Sequence, residues 1–147
     1  MTERTLTERA GGCLCGAVRY TVRSDKTGLT GCSCEQCRRH TGALLVSLDL
    51  PGAAVRFTAG EPVVYTSSSW AERGFCHDCG STLFYRVTAG EAAGQTAIAA
   101  GTLDSLEGLQ VEEEVFADGT GGAYLLAGAH ERLTGAETMA KYYSAGA

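Results

Sequence analysis

Seven cysteines fall in three tight clusters: Cys13-Leu14-Cys15, Cys32-Ser33-Cys34-Glu35-Gln36-Cys37 and Cys76-His77-Asp78-Cys79. Thiolates one or two residues apart can reach a single ion from one tight turn. Zinc takes four such donors in a tetrahedron at about 2.3 Å. Glycines flank every cluster: Gly11, Gly12 and Gly16 the first, Gly31 the second, Gly80 the third. A residue without a Cβ lets the chain make those turns. An odd cysteine count in a reducing compartment argues against a disulfide framework, so metal or thiol chemistry is expected instead.

Seven donors divide as four plus three. The first and third clusters together make a closed, all-thiolate structural site of Cys13, Cys15, Cys76 and Cys79. Such a site would tie early and late strands together and contribute directly to folding. Cys32, Cys34 and Cys37 then hold three positions and leave one open, which distinguishes a reactive zinc site from a structural one. Spacing alone also permits other groupings. The triad can share an ion with Cys13 or Cys15, or be completed by His40 or an acidic side chain as a second structural site.

The residues after the triad favour reactivity. Arg38 and Arg39 follow Cys37 directly. A guanidinium nearby lowers a thiol pKa. It also grips a carboxylate through two parallel hydrogen bonds. Paired arginines beside thiols suit a substrate that carries both a thiol and carboxylates; the bland alternative is two solvated arginines on a turn. His40 is placed to orient such a substrate. His77 is expected to point away from a metal, His130 to lie at the surface, and Glu35 and Gln36 to be exposed turn residues.

The elements that must position these groups are short. Alternating runs predict strands over Ala17–Val22, Ala43–Leu50, Ala54–Thr58, Val63–Thr66, Thr82–Val87, Thr96–Ala100 and Gln110–Phe116. In the first, Val18, Tyr20 and Val22 face one way and Arg19, Thr21 and Arg23 the other. Turns are expected at Ser24–Gly28, Pro51-Gly52, Ala59-Gly60 and Asp118-Gly119. Ala136–Tyr143 reads as a helix, with Met139, Tyr142 and Tyr143 at helical spacing. The sum is a mainly β domain with little helix.

The chain has 147 residues, which fits one domain over 1–147. Hydrophobic residues make up 44% and charged residues 20%, a globular balance that excludes disorder and collagen-like repeats. No apolar run approaches the ~20 residues of a membrane helix. Met1–Thr5 shows no apolar core behind its charges, so a cytoplasmic protein is expected. Net charge is −5. Residues 1–106 carry ten basic and ten acidic groups, and residues 107–147 two and seven, so the whole excess lies in the last part. With no basic patch, nucleic acid is not expected as a partner.

Four ordered segments resemble the glutathione-dependent formaldehyde-activating enzyme family, which includes the centromere protein V relatives. They are Gly12-Cys13-Leu14-Cys15-Gly16-Ala17-Val18-Arg19-Tyr20, Cys32 through Ala43, Arg73 through Leu83, and Ala99-Ala100-Gly101-Thr102-Leu103-Asp104. The likeness covers about 11–104; the acidic part 107–147 diverges, and the one tryptophan, Trp70, lies upstream of the third cluster. The resemblance implies a zinc-binding domain of several small curled antiparallel sheets, similar to the Mss-type exchange-factor fold. It implies a structural zinc on Cys13, Cys15, Cys76 and Cys79 and a second, catalytic or labile zinc on Cys32, Cys34 and Cys37. It implies substrate contacts from Arg38, Arg39 and His40. The implied activity is that of a carbon–sulfur lyase read in reverse, joining glutathione or a similar small thiol to formaldehyde or another aldehyde. A non-catalytic zinc module for a protein partner, or a thiol-based zinc sensor, is the alternative on the same fold.

Overall fold

The computed structural model describes residues 6–143. The Met1–Thr5 stretch read for a signal lies outside them. The described residues form a mainly β protein. They divide into two compact units: residues up to 27 with 47–109, and residues 28–46 with those from 110 onward.

The first unit holds two groups of strands. β1 (Thr7–Gly12), β2 (Arg19–Ser24) and β5 (Val55–Ala59) pair antiparallel, with β2 in the middle. The alternation expected in β2 is present: Val18, Tyr20 and Val22 are buried. Tyr20 meets Phe57 edge-on at 6.1 Å, and Phe57 meets Phe84 at 5.8 Å. β4 (Leu45–Leu50), through its residues 47–50, and then β9 (Thr96–Ala99), β8 (Thr82–Val87), β7 (Ala71–Phe75) and β6 (Val63–Thr66) follow one another across an antiparallel sheet. Leu48 stands opposite Ile98, and Ile98 opposite Phe84. These three side chains and Leu83 are fully buried. Each such side chain contributes about 1.5–3 kcal/mol by leaving water.

The second unit is built on β3 (Gly28–Cys32), β10 (Gln110–Val115) and β11 (Glu131–Arg132). Here the pairing differs from the antiparallel expectation. β10 runs parallel to β3, placing Val115 opposite Cys32, and parallel to β11. Two helices complete the unit, α1 (Glu35–Thr41) and α2 (Gly135–Tyr142). α2 matches the helix expected at Ala136–Tyr143 and starts on a capping box between Thr134 and Glu137. α1 replaces the turn expected after Cys34.

β1, β3 and β7 were absent from the sequence expectation. Their sequences are Thr-Glu-Arg-Ala-Gly-Gly, Gly-Leu-Thr-Gly-Cys and Ala-Glu-Arg-Gly-Phe. Glycine breaks the period of two in each, and pairing with a neighbouring strand overrides the low intrinsic preference.

Candidate metal centre

The first unit gathers four cysteines through two hairpin knuckles. Between β1 and β2, the Cys13 N–H donates to the Val18 carbonyl at 3.0 Å and the Gly16 N–H to the Cys13 carbonyl at 3.2 Å. Between β7 and β8, the Cys76 N–H donates to the Ser81 carbonyl at 3.0 Å and the Gly80 N–H to the Cys76 carbonyl at 2.9 Å. Gly80 turns the chain at φ 76, a left-handed conformation that suits glycine. The sulfurs of Cys13, Cys15, Cys76 and Cys79 all lie within 4.8 Å of one another. Cys13 and Cys15 are 3.6 Å apart, and Cys15 and Cys76 are 3.8 Å apart. Sulfurs around a tetrahedral zinc stand about 3.8 Å apart, by geometry from the metal–sulfur distance. The donor set therefore fits such an ion.

Polar neighbours support these sulfurs. The Val18 N–H points to the Cys13 sulfur at 3.2 Å, and the Ser81 hydroxyl lies 3.2 Å from the Cys79 sulfur. The Leu14 N–H holds that hydroxyl from the other side at 2.9 Å. The Val18 amide draws the Cys13 thiol below its ordinary pKa. The Ser81 hydroxyl and then its N–H draw Cys79 down to about 5. The Ala17 amide draws Cys15 down too. Cys13, burial, Cys79 and Cys76 outweigh it and push Cys15 up to about 12. Without a cation, four adjacent thiols resist ionising together; a dication removes that conflict.

The second unit gathers the other three. Cys32 ends β3 and Cys34 caps α1, its sulfur accepting the Cys37 N–H at 3.4 Å. Cys37 is buried in the first turn. The three sulfurs lie within 4.8 Å of one another. No histidine or carboxylate joins that group among the described residues, so His40 does not complete it. The Cys32 thiol is pushed far above its ordinary range by hydrogen bonds with Cys34 and Cys37 and by burial. The lowering expected from the arginine pair does not govern it.

Arg38, Arg39 and His40 occupy different settings on α1. Arg39 is exposed and ion-paired with Glu35 at 3.1 Å, one turn back. Arg38 is half-buried, and its Nε is buried without a hydrogen-bond partner among the described residues. The ring nitrogens of His40 are buried as well. His77 is exposed beside Asp78, as expected.

The acidic C-terminal part wraps the triad within this unit. The Ser33 N–H donates to the Val115 carbonyl at 3.2 Å. Phe116 then turns left-handed at φ 50, and the 3-10 turn Ala117–Thr120 follows. A Cβ on Gly119 would stand 2.1 Å from the Ser33 carbonyl oxygen, so only glycine fits there. α2 docks on this segment. The Thr138 hydroxyl accepts the Phe116 N–H at 3.1 Å, Asp118 accepts the Gly135 N–H at 2.8 Å, and Lys141 pairs with Glu113 at 2.7 Å. The Tyr142 hydroxyl donates to Glu113 as well. Tyr143 comes next, half-exposed. Burial raises its phenol, and the charges of Cys32, Cys34 and Cys37 add to that rise.

The other face of β10 holds a buried carboxylate and its partners. Glu114, 2% exposed at its side chain, accepts from His130 at 2.5 Å and faces Arg132 at 3.4 Å. His130, expected at the surface from sequence, is instead buried: its side chain is 4% exposed. Its partner lies 16 residues away, on a strand, and no local pattern signals that contact.

The profile of the glutathione-dependent formaldehyde-activating enzyme family matches residues 8–119, running on past Asp104 into the acidic part. An uncharacterized lyase from Schizosaccharomyces pombe is 33% identical over 87 residues, 57% of this chain and 61% of the relative. The chain thus spans about three fifths of the length of that curated relative.

Proposed function

This chain belongs to the glutathione-dependent formaldehyde-activating enzyme family, and from that premise we propose that it joins a small thiol, glutathione or a close analogue, to formaldehyde or another small aldehyde. The observation that carries the reading is the three-sulfur group of Cys32, Cys34 and Cys37, within 4.8 Å and with no fourth protein donor among the described residues. The lyase name of the yeast relative agrees with carbon–sulfur bond chemistry run in either direction.

The reading assigns a structural zinc to Cys13, Cys15, Cys76 and Cys79 and a second zinc to the triad. When bound at the triad, zinc supplies positive charge that favours the ionised form of a nearby thiol. Cys32, Cys34 and Cys37 would hold such an ion as three thiolates, which would offset its charge and leave room for the substrate sulfur. The reaction itself is simple. The substrate sulfur attacks the aldehyde carbon, a carbon–sulfur bond forms, and the carbonyl π pair moves to oxygen, which takes a proton. Arg38, whose buried Nε has no partner among the described residues, is the group we assign to a substrate carboxylate. Arg39 can assist only by leaving Glu35. His40 orients the bound substrate from the same helix.

Acidic residues crowd this part of the chain, but several are committed to protein partners: Glu113 to Lys141 and Tyr142, Glu114 to His130 and Arg132, Glu137 to the cap of α2. Their charge therefore bears less on an anionic thiol than the count suggests. Native mass spectrometry of fresh protein with and without glutathione tests the reading. Expected are two zinc ions, a bound glutathione that vanishes in Cys37→Ser, and adduct formation with formaldehyde. One unchanging zinc and no bound thiol would sink it.

A further inference from the structure

We propose that Ser81 is a positioning residue of the four-cysteine site: its hydroxyl donates to the Cys79 thiolate, accepts the Leu14 N–H, and so sets how firmly the first unit holds its metal. The inference rests on the zinc assigned above to Cys13, Cys15, Cys76 and Cys79 and adds a group outside those four donors.

The placement follows from the knuckle between β7 and β8. The Cys76 N–H donates to the Ser81 carbonyl at 3.0 Å, which fixes the backbone of Ser81 across from the first cysteine of the pair. Gly80, left-handed at φ 76, turns the chain so that the Ser81 side chain comes back beside Cys79. The hydroxyl oxygen stands 3.2 Å from the Cys79 sulfur and 2.9 Å from the Leu14 nitrogen. Leu14 lies between Cys13 and Cys15, 67 positions from Ser81 in sequence. One oxygen thus meets both hairpins of the first unit where the four sulfurs gather within 4.8 Å of one another.

The direction of each bond follows from the groups. An amide N–H only donates, so the oxygen accepts from Leu14. A cysteine that binds a metal has given up its proton, so the hydroxyl proton points to the sulfur. Hydrogen bonds to an ionised acceptor are the stronger kind. Four thiolates carry more negative charge than one dication offsets. A donor on Cys79 relieves part of that excess and holds the sulfur in one orientation, as groups around metal ligands commonly do. The Val18 amide supports the Cys13 sulfur in the same way at 3.2 Å, but it is backbone, which a side-chain substitution does not remove. Ser81 supplies the effect from a side chain. Its bond with Leu14 lies at the exposed surface, where water can replace the oxygen. The loss of the hydroxyl therefore falls on the sulfur.

The test compares Ser81→Ala and Ser81→Thr with the wild-type protein. Zinc affinity is read by competition with a chelator, and the state of the sulfurs by cadmium NMR of the same proteins loaded with cadmium. Cadmium binds the same thiolates and gives one resonance per site, whose position reports the electron density on the sulfurs. Expected for Ser81→Ala are a zinc affinity of the four-sulfur site lower by about 10–100-fold, the usual cost of losing a group that supports a ligand, and a displaced four-sulfur resonance. Ser81→Thr keeps the hydroxyl and should match wild type in both. Unchanged affinity and an unmoved resonance in Ser81→Ala overturn the inference and leave the four-cysteine zinc standing. A fall in affinity with the resonance unmoved also overturns it, since the hydroxyl would then only tie the two hairpins. So does a Ser81→Thr protein that behaves as Ser81→Ala. A wild-type protein without a four-sulfur resonance overturns both the inference and the zinc reading.

Discussion

Cys37 and Cys76 are both buried thiols of similar chemistry, yet serine should affect them differently. Cys37 belongs to a group local in sequence, held by the end of β3 and the first turn of α1. Cys37→Ser should keep the fold, with a melting midpoint within a few degrees of wild type, and lose the triad's metal and bound glutathione. Cys76→Ser removes a donor from a site that joins Cys13 and Cys15 to Cys79 across the first unit. Loss of about 3 kcal/mol is a conservative figure for a structural metal, and it lowers the midpoint of a domain this size by roughly 10 °C. Scanning calorimetry of both variants with a zinc count decides it; equal midpoints would refute the division of labour. At this scale the cysteines were legible because ligands of one knuckle are near neighbours in sequence. The burial of His130 was not, because it comes from a bond to Glu114, which lies 16 residues away on another element.

The elements show the same divide between local and distant information. β6 and β8 fall where alternation predicts them, at Val63–Thr66 and Thr82–Val87. The parallel pairing of β10 with β3 joins residues some eighty positions apart, and nothing in either strand announces its partner. That pairing sets two contacts worth testing. On one face, His130→Ala strands the buried Glu114 carboxylate with only the more distant Arg132. Leaving a buried hydrogen-bond acceptor unsatisfied costs about 1–3 kcal/mol, more where it is charged. Urea denaturation should show that loss, whereas Glu114→Gln together with His130→Ala should cost clearly less than the two single changes added. On the other face, Lys141 and Tyr142 outweigh burial and hold the Glu113 carboxyl below its usual 4.5. Glu113 in turn, with Tyr142, holds Lys141 above its usual 10.5. A lowered acid stabilises above its unfolded value and loses that effect as pH falls through the folded one; a raised base does the reverse. The docking of α2 by this pair is therefore complete between about pH 4.5 and 10.5 and fades outside that window. Lys141→Met should lower the melting midpoint at pH 7, and the difference from wild type should vanish in acid. A difference that persists below the folded pKa of Glu113 would assign the effect to packing.

Over the whole molecule, charge and metal are one subject. The chain carries −5, and the proposed two zinc ions, held by four and three thiolates, would take it to about −8 by formal counting of deprotonated ligands. On the proposed reading a glutathione anion would have to approach that net charge, so local cations on α1 would matter more than the total. The two groups of sulfurs differ in what they hold together. One links sequence positions from Cys13 to Cys79, tying the hairpins of the first unit; the other spans only Cys32 to Cys37. Metal in the first group is coupled to folding, because an unfolded chain cannot keep those four sulfurs together. Metal in the second is coupled chiefly to thiol ionisation, and three ligands grip an ion less firmly than four. Titration with a chelator at neutral pH should therefore release zinc in two steps. The first step removes one ion with the far-ultraviolet spectrum unchanged and glutathione binding lost. The second removes the other ion and collapses the spectrum in the same step. Lowering the pH should reproduce the order, since protons compete with the metal for every thiolate. Release of both ions in one step, or complete loss of zinc with the β spectrum intact, would show that the four-cysteine group does not secure the fold.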